Sequence, residues 1–169
     1  KFLPEFPEIN VISNVKNIEG TPIGNLGDGE AVWHADMTYQ EIPPKAGILY
    51  ALEVPENQGN THFANMTLAY DELPYKLKEK IDGKVLIHDS AHNSAGMLRK
   101  GYLEVDNPSE TPGARHPIII TDNNTKKKLL FLGRRPHAYI IGMEIEESEN
   151  LLDQIWEHAT QEKFTWTQK

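Results

Sequence analysis

Cysteine is absent from the 169 residues. That excludes disulfides, thiolate metal sites and a thiol nucleophile, and it suits a reducing compartment, so a cytoplasmic location is expected. No apolar run approaches the roughly 18 residues needed to span a bilayer, so no membrane partner is expected. The opening Lys1-Phe2-Leu3-Pro4-Glu5-Phe6-Pro7 has no apolar stretch of the secretory kind. Positive charge is also scarce: 17 Lys and Arg face 25 Asp and Glu, leaving a net charge of −8. A surface of that sign repels a phosphate backbone, so nucleic acid is not an expected partner. The basic cluster Lys126-Lys127-Lys128 follows the turn-forming Asp122-Asn123-Asn124-Thr125 and reads as a solvated hairpin tip. Glycines at 20, 24, 27 and 29 break regular structure but do not have phosphate-loop spacing.

The chain is long enough for one domain with its own core. Residues 9–15, 31–39, 46–54, 59–65 and 84–88 have strand character. Leu68, Leu73, Leu77 and Ile81 predict a helix over 67–81, divided at Pro74. Residues 89–115 are polar and without strong periodicity, which predicts a loop or lid. Residues 116–121 and 128–132 flank the Asn-rich turn as a hairpin. Leu151, Leu152, Ile155, Trp156 and Ala159 form the apolar face of a helix over 146–160, with Glu146, Glu147 and Glu149 suited to its N-terminal dipole. Phe164-Thr165-Trp166 is strand-like, and its sheet is expected to lack a neighbouring strand. The pattern predicts a mainly β fold with flanking helices, of which a double-sheet jelly roll is the natural form.

Chemistry concentrates in Trp33-His34-Ala35-Asp36. In an extended strand, residues two apart share a face, so His34 and Asp36 would aim an imidazole nitrogen and a carboxylate oxygen at one point. Those are two members of the 2-His-1-carboxylate set that holds non-haem Fe(II) with positions open for substrate and oxygen. Taken alone, the pair reads better as a buried or edge-strand hydrogen-bonded couple.

An ordered series of segments adds weight. Trp33-His34-Ala35-Asp36-Met37-Thr38-Tyr39, Leu49-Tyr50-Ala51, Gln58-Gly59-Asn60-Thr61-His62-Phe63, Ala69-Tyr70-Asp71-Glu72-Leu73-Pro74, His116-Pro117-Ile118 and Leu130-Phe131-Leu132-Gly133 follow in sequence, leading to Ile140-Ile141-Gly142 and Leu151-Leu152. Together they resemble the TauD/TfdA-like family of Fe(II)- and 2-oxoglutarate-dependent dioxygenases over nearly the whole chain. The resemblance implies a double-stranded β-helix, incomplete in this chain, and iron ligation by His34 and Asp36. It also implies contact of Thr61 with 2-oxoglutarate, although Gln58 and Asn60 depart from the family's more frequent Gly and Asp. It places a third ligand, a His, and an Arg that grips the far carboxylate of 2-oxoglutarate beyond Lys169. The chain is therefore expected to be a single partial dioxygenase domain, the central part of a longer enzyme. The implied reaction consumes O2, decarboxylates 2-oxoglutarate to succinate and CO2, and hydroxylates a small organic substrate; a homo-oligomer is compatible with it.

The remaining histidines are His62, His88, His92, His116, His137 and His158. His62 is expected to face away from Thr61, His88 and His92 to border the long loop, His116 to be structural and His158 to lie on the surface. Arg134 and Arg135 are candidates for an anionic substrate or for a solvated turn, and Glu30 for reaching the pocket. Two other readings compete with the dioxygenase: a non-catalytic jelly-roll binding module without the distal His and Arg, and a zinc hydrolase. The absence of H-E-x-x-H opposes the hydrolase.

Overall fold

The computed structural model describes residues 3–26, 31–54, 56 and 59–169. Among these residues, short strands form four separate sheets with three α-helices packed against them. β1 (Ile12–Ser13) and β2 (Asn25–Leu26) pair in parallel. β3 (Thr61–Ala64) pairs antiparallel with β9 (Thr165–Gln168), so the closing strand does have a neighbour, contrary to expectation. β4 (Val85–Asp89) is the centre of a three-stranded antiparallel sheet, flanked by β5 (Gly113–Pro117) and β8 (Tyr139–Ile140). β6 (Ile119–Thr121) and β7 (Lys128–Leu130) form the expected hairpin. The Asp122 carboxylate accepts from the Asn124 and Thr125 amides at its turn, and the three lysines are exposed.

The predicted division of the first helix at Pro74 is present. α1 (Met66–Asp71) is capped by the Asn65 side chain, which accepts from the Leu68 amide at 3.0 Å. α2 (Tyr75–Ile81) starts after Pro74, whose φ of −51° suits a helix entrance. α3 (Ile145–Ala159) buries the five predicted apolar residues. They pack with Leu86, Ile118, Leu130, Leu132 and Ile140 from the sheets, with Ala69 and Leu73 around α1, and with Phe164. Ser148 lies inside this apolar face, and its hydroxyl oxygen accepts the Ile140 amide at 2.9 Å, which satisfies both the helix position and β8.

Three further expectations fail. Residues 46–54 form no strand, and Ile48, Leu49, Tyr50 and Leu52 stand 72–96% exposed. Strand propensity becomes a strand only where a neighbour supplies hydrogen bonds and packing, and no described segment does so here. His158 is buried rather than on the surface: its Nε2–H donates to the Ala69 carbonyl at 2.8 Å and links α3 to α1. Residues 31–39 are not a continuous strand either, since His34 makes one isolated bridge to Arg134 and residues 36–39 form a turn.

Leu152 is fully buried at the centre of the core. Truncation to alanine removes buried methyl groups and leaves a cavity, so Leu152→Ala is expected to cost about 2–5 kcal/mol. The check is urea denaturation of the variant beside the wild type.

Candidate metal centre

The His-x-Asp side chains do converge, from a short bridged stretch at His34 that gives way to a turn at Asp36. The Ala35 amide donates to the Gly133 carbonyl at 2.7 Å, which seats the segment against the chain leading from β7 to β8. Directly after Asp36 the backbone reverses: Met37 has φ of +55°, and the Gln40 amide donates to the Met37 carbonyl at 3.0 Å. The reversed chain is then fixed to β5. The Ala114 amide donates to the Tyr39 carbonyl at 3.0 Å, and His116 Nε2 lies 2.8 Å from the Thr38 carbonyl and 3.0 Å from that of Gln40. The expected structural role of His116 is this clamp.

His34 is oriented by its own backbone. Nδ1–H donates to the Val32 carbonyl at 2.7 Å, so Nε2 is the nitrogen left to meet Asp36. Nε2 lies 3.1 Å from Asp36 Oδ1. The hydrogen bond to Asp36 raises the His34 pKa above the ordinary imidazole range, against an opposing effect of burial. The same bond lowers that of Asp36. When His34 is protonated, a proton lies between two atoms that both offer a lone pair once it leaves. That donor set, one neutral imidazole and one carboxylate, can take a divalent ion of the Fe(II) class. The His34 side chain is 28% exposed and that of Asp36 78%, so the pair is accessible from outside. Gly47 runs alongside, where a Cβ would lie 3.9 Å from Asp36 Oδ2.

Comparison with known proteins is decisive at this point. Residues 3–169 match the model of the family described as taurine catabolism dioxygenase TauD, TfdA family. The chain belongs to the TauD/TfdA family. It is 35% identical to the (S)-phenoxypropionate/alpha-ketoglutarate-dioxygenase of Sphingobium herbicidovorans, across 82% of this chain and 48% of that protein. It is 29% identical to the alpha-ketoglutarate-dependent 2,4-dichlorophenoxyacetate dioxygenase of Burkholderia sp. (strain RASC), across 96% of this chain and 56% of that one. Among solved structures, AAD-2 in complex with Mn(II) and N-oxalylglycine superposes with a TM-score of 0.64 at 28% identity, covering 85% of this chain and 61% of that one. A taurine dioxygenase from Burkholderia xenovorans gives 0.63 at 30% identity, covering 81% and 44%. The chain thus spans about half the length of the curated relatives it matches.

The other candidates of this TauD/TfdA chain fall in different places. Thr61 opens β3 opposite Gln168, on the strand face it shares with Phe63, which stacks on Trp166. No hydrogen bond among the described residues joins Thr61 to His34 or Asp36. His62 points the other way, as expected, with Nδ1 2.8 Å from Thr167 Oγ1 and its ring tilted against Trp33. Neither Arg134 nor Arg135 is free: both are paired, Arg134 largely buried and Arg135 partly exposed. Arg134 binds Asp89 and the Asn93 carbonyl, and Arg135 pairs with Glu149 and Asp153. Glu30 and Gln58 lie outside the described residues. No group of three or more metal-capable side chains occurs among the described residues.

Sequence reasoning missed the buried polar cluster behind His34. Asp89 ends β4 and accepts from the Ala91 amide at 2.7 Å, the His92 amide at 3.2 Å and Arg134. His92 lies between Asp89 and Glu104 and stacks on His137 with centroids 3.7 Å apart. The spacing of Asp89 and His92, three apart after a buried strand, is the signal that could have found it. His88 is buried too, with neither ring nitrogen hydrogen-bonded. It packs against His116 and Phe131 and over Gly133, where a Cβ would come within 2.3 Å of His88 Nδ1. Burial first, then the neighbouring His116, pushes the His88 pKa down to about 4.

Three outcomes follow from this geometry. Because a metal must displace the bridging proton, divalent-ion affinity is expected to rise with pH through the raised His34 titration. Manganese(II) titrations should then show tighter binding at pH 8 than at pH 6. His88 stays neutral in the fold while the unfolded chain protonates near its ordinary value, so stability present above that value is lost as pH falls toward 4. Between pH 7 and pH 5 this amounts to about 2 kcal/mol, readable by urea denaturation and reduced in His88→Phe. Gly133→Ala is expected to lower the melting temperature and weaken manganese(II) binding together, since its φ of +66° and the His88 contact admit no Cβ.

Proposed function

We propose that the full-length protein is an Fe(II)- and 2-oxoglutarate-dependent dioxygenase that hydroxylates a small organic substrate. Members of this family are 2-oxoglutarate-dependent dioxygenases, and the relatives named above carry that activity in their names. The observation that carries the reading for this chain is the His34–Asp36 pair, with Nε2 and Oδ1 3.1 Å apart and the opposite nitrogen tied down. In this reading His34 Nε2 and an Asp36 oxygen hold the iron, and a His outside these residues completes the set. When bound, the iron supplies O2 activation coupled to decarboxylation of 2-oxoglutarate to succinate and CO2. One oxygen atom enters succinate and the other enters the hydroxylated product.

The protein's own contribution is orientation. The Val32 carbonyl holds the His34 tautomer, and Gly133 and His116 hold the turn that carries Asp36. Thr61 is assigned to 2-oxoglutarate through its hydroxyl, at the open end of β3. Residues 89–115 are assigned as a covering loop. Their irregular part runs over residues 90–107, ahead of β5. The sheets described here are assigned as part of a double-stranded β-helix, supported by superposition on dioxygenases of this family.

The test is succinate release by the full-length protein, expected only with Fe(II), O2 and a primary substrate together. His34→Ala is expected to abolish it. Thr61→Val should raise the KM for 2-oxoglutarate by about tenfold, through loss of one hydrogen bond to a charged group. Undiminished turnover by His34→Ala would overturn the ligand assignment.

A further inference from the structure

We infer that Asp89 is a positioning residue for the metal-binding His34, acting through Arg134 and the loop at 93–94. This rests on the reading of His34 as a metal ligand. The Asp89 side chain is 1% exposed and that of Arg134 10%, so the pair is removed from solvent. Burying a carboxylate and a guanidinium is costly unless their polar atoms are paired; here the carboxylate is fully engaged, while Arg134 Nε has no partner among the described residues. Asp89 accepts from two backbone amides, from His92 Nδ1 at 2.9 Å and from one Arg134 nitrogen. The other terminal nitrogen of Arg134 donates to the Asn93 carbonyl.

Both ends of that fork lead to His34. The Arg134 backbone is the bridge partner of His34, and the preceding residue accepts from the Ala35 amide at 2.7 Å. On the other side, the Ser94 carbonyl, one residue beyond the Arg134 contact, accepts the Val32 amide at 3.2 Å. The Val32 carbonyl in turn receives His34 Nδ1–H. A closed circuit results, running from Asp89 through Arg134 to the His34 backbone and through Asn93 and Ser94 to Val32 and the His34 ring. Asp89 touches neither the metal site nor Asp36. Its effect is to hold Nε2 aimed at Asp36 Oδ1 before any ion arrives, and groups that orient a ligand imidazole in this way commonly set metal affinity.

The experiment measures manganese(II) binding to the full-length protein by electron paramagnetic resonance, without 2-oxoglutarate and well below the melting temperature. Asp89→Asn, which keeps the shape and loses the charge, is expected to weaken binding by about tenfold or more. Leu152→Ala serves as a variant destabilised far from the site and should bind as the wild type does. Folded Asp89→Asn binding within twofold of wild type overturns the inference, as does equal weakening by Leu152→Ala. If Asp89→Asn does not fold, Arg134→Lys decides: it keeps the charge but cannot span Asp89 and Asn93 together. About threefold or greater weakening supports the inference and unchanged affinity overturns it. His34→Ala separates the two readings. If it binds as tightly as wild type, the ligand assignment itself falls. If it loses the ion while Asp89→Asn does not, only the positioning role falls.

Discussion

Two backbone contacts between positions almost a hundred residues apart carry the architecture around the candidate site. The Ala35 amide meets the Gly133 carbonyl, and His34 bridges Arg134. Without them the segment carrying His34 and Asp36 would be a surface excursion with little burial of its own. With them it becomes an edge of the structure built around β4. Gly133 makes the approach feasible because it lacks the side chain that would strike His88. The buried His88 ring, the left-handed backbone at Gly133 and the orientation of His34 are therefore one constraint seen from three sides.

Much of this was legible in the chain itself, for identifiable reasons. α3 could be read because apolar residues repeat with helical period over fifteen residues and the acidic residues gather at its start. The helix break at Pro74 followed from the missing amide and fixed φ of proline. The convergence of His34 with Asp36 was also anticipated, although the extended stretch that carries it is one isolated bridge at His34 rather than a strand, and the chain turns from Asp36 onward. Residues 46–54 were misread because composition reports what a strand can bury, not whether a partner lies alongside. His158 was misplaced despite lying three residues after Ile155 on the packed side of α3; its polarity outweighed its position.

The buried charges were the least legible part. Arg134, Asp89 and His92 are spread over forty-five residues, and nothing in their local context marks them as partners. Polar groups inside a fold recognise one another only after the backbone has brought them together. Their cost of desolvation then makes the arrangement all-or-nothing. That is a useful property beside the proposed metal site, where a loosely held imidazole would spend much of its time misaligned. Family membership supports the chemistry of His34 and Asp36. The surrounding circuit fixes where the His34 backbone and ring lie in this chain.

The uncovered run at Ile48, Leu49, Tyr50 and Leu52 has a practical side. Phe63 and Trp166, stacked on the two-stranded sheet of β3 and β9, are exposed apolar side chains as well. Exposed apolar side chains of this kind favour association with other chains, a tendency that the net charge of −8 opposes.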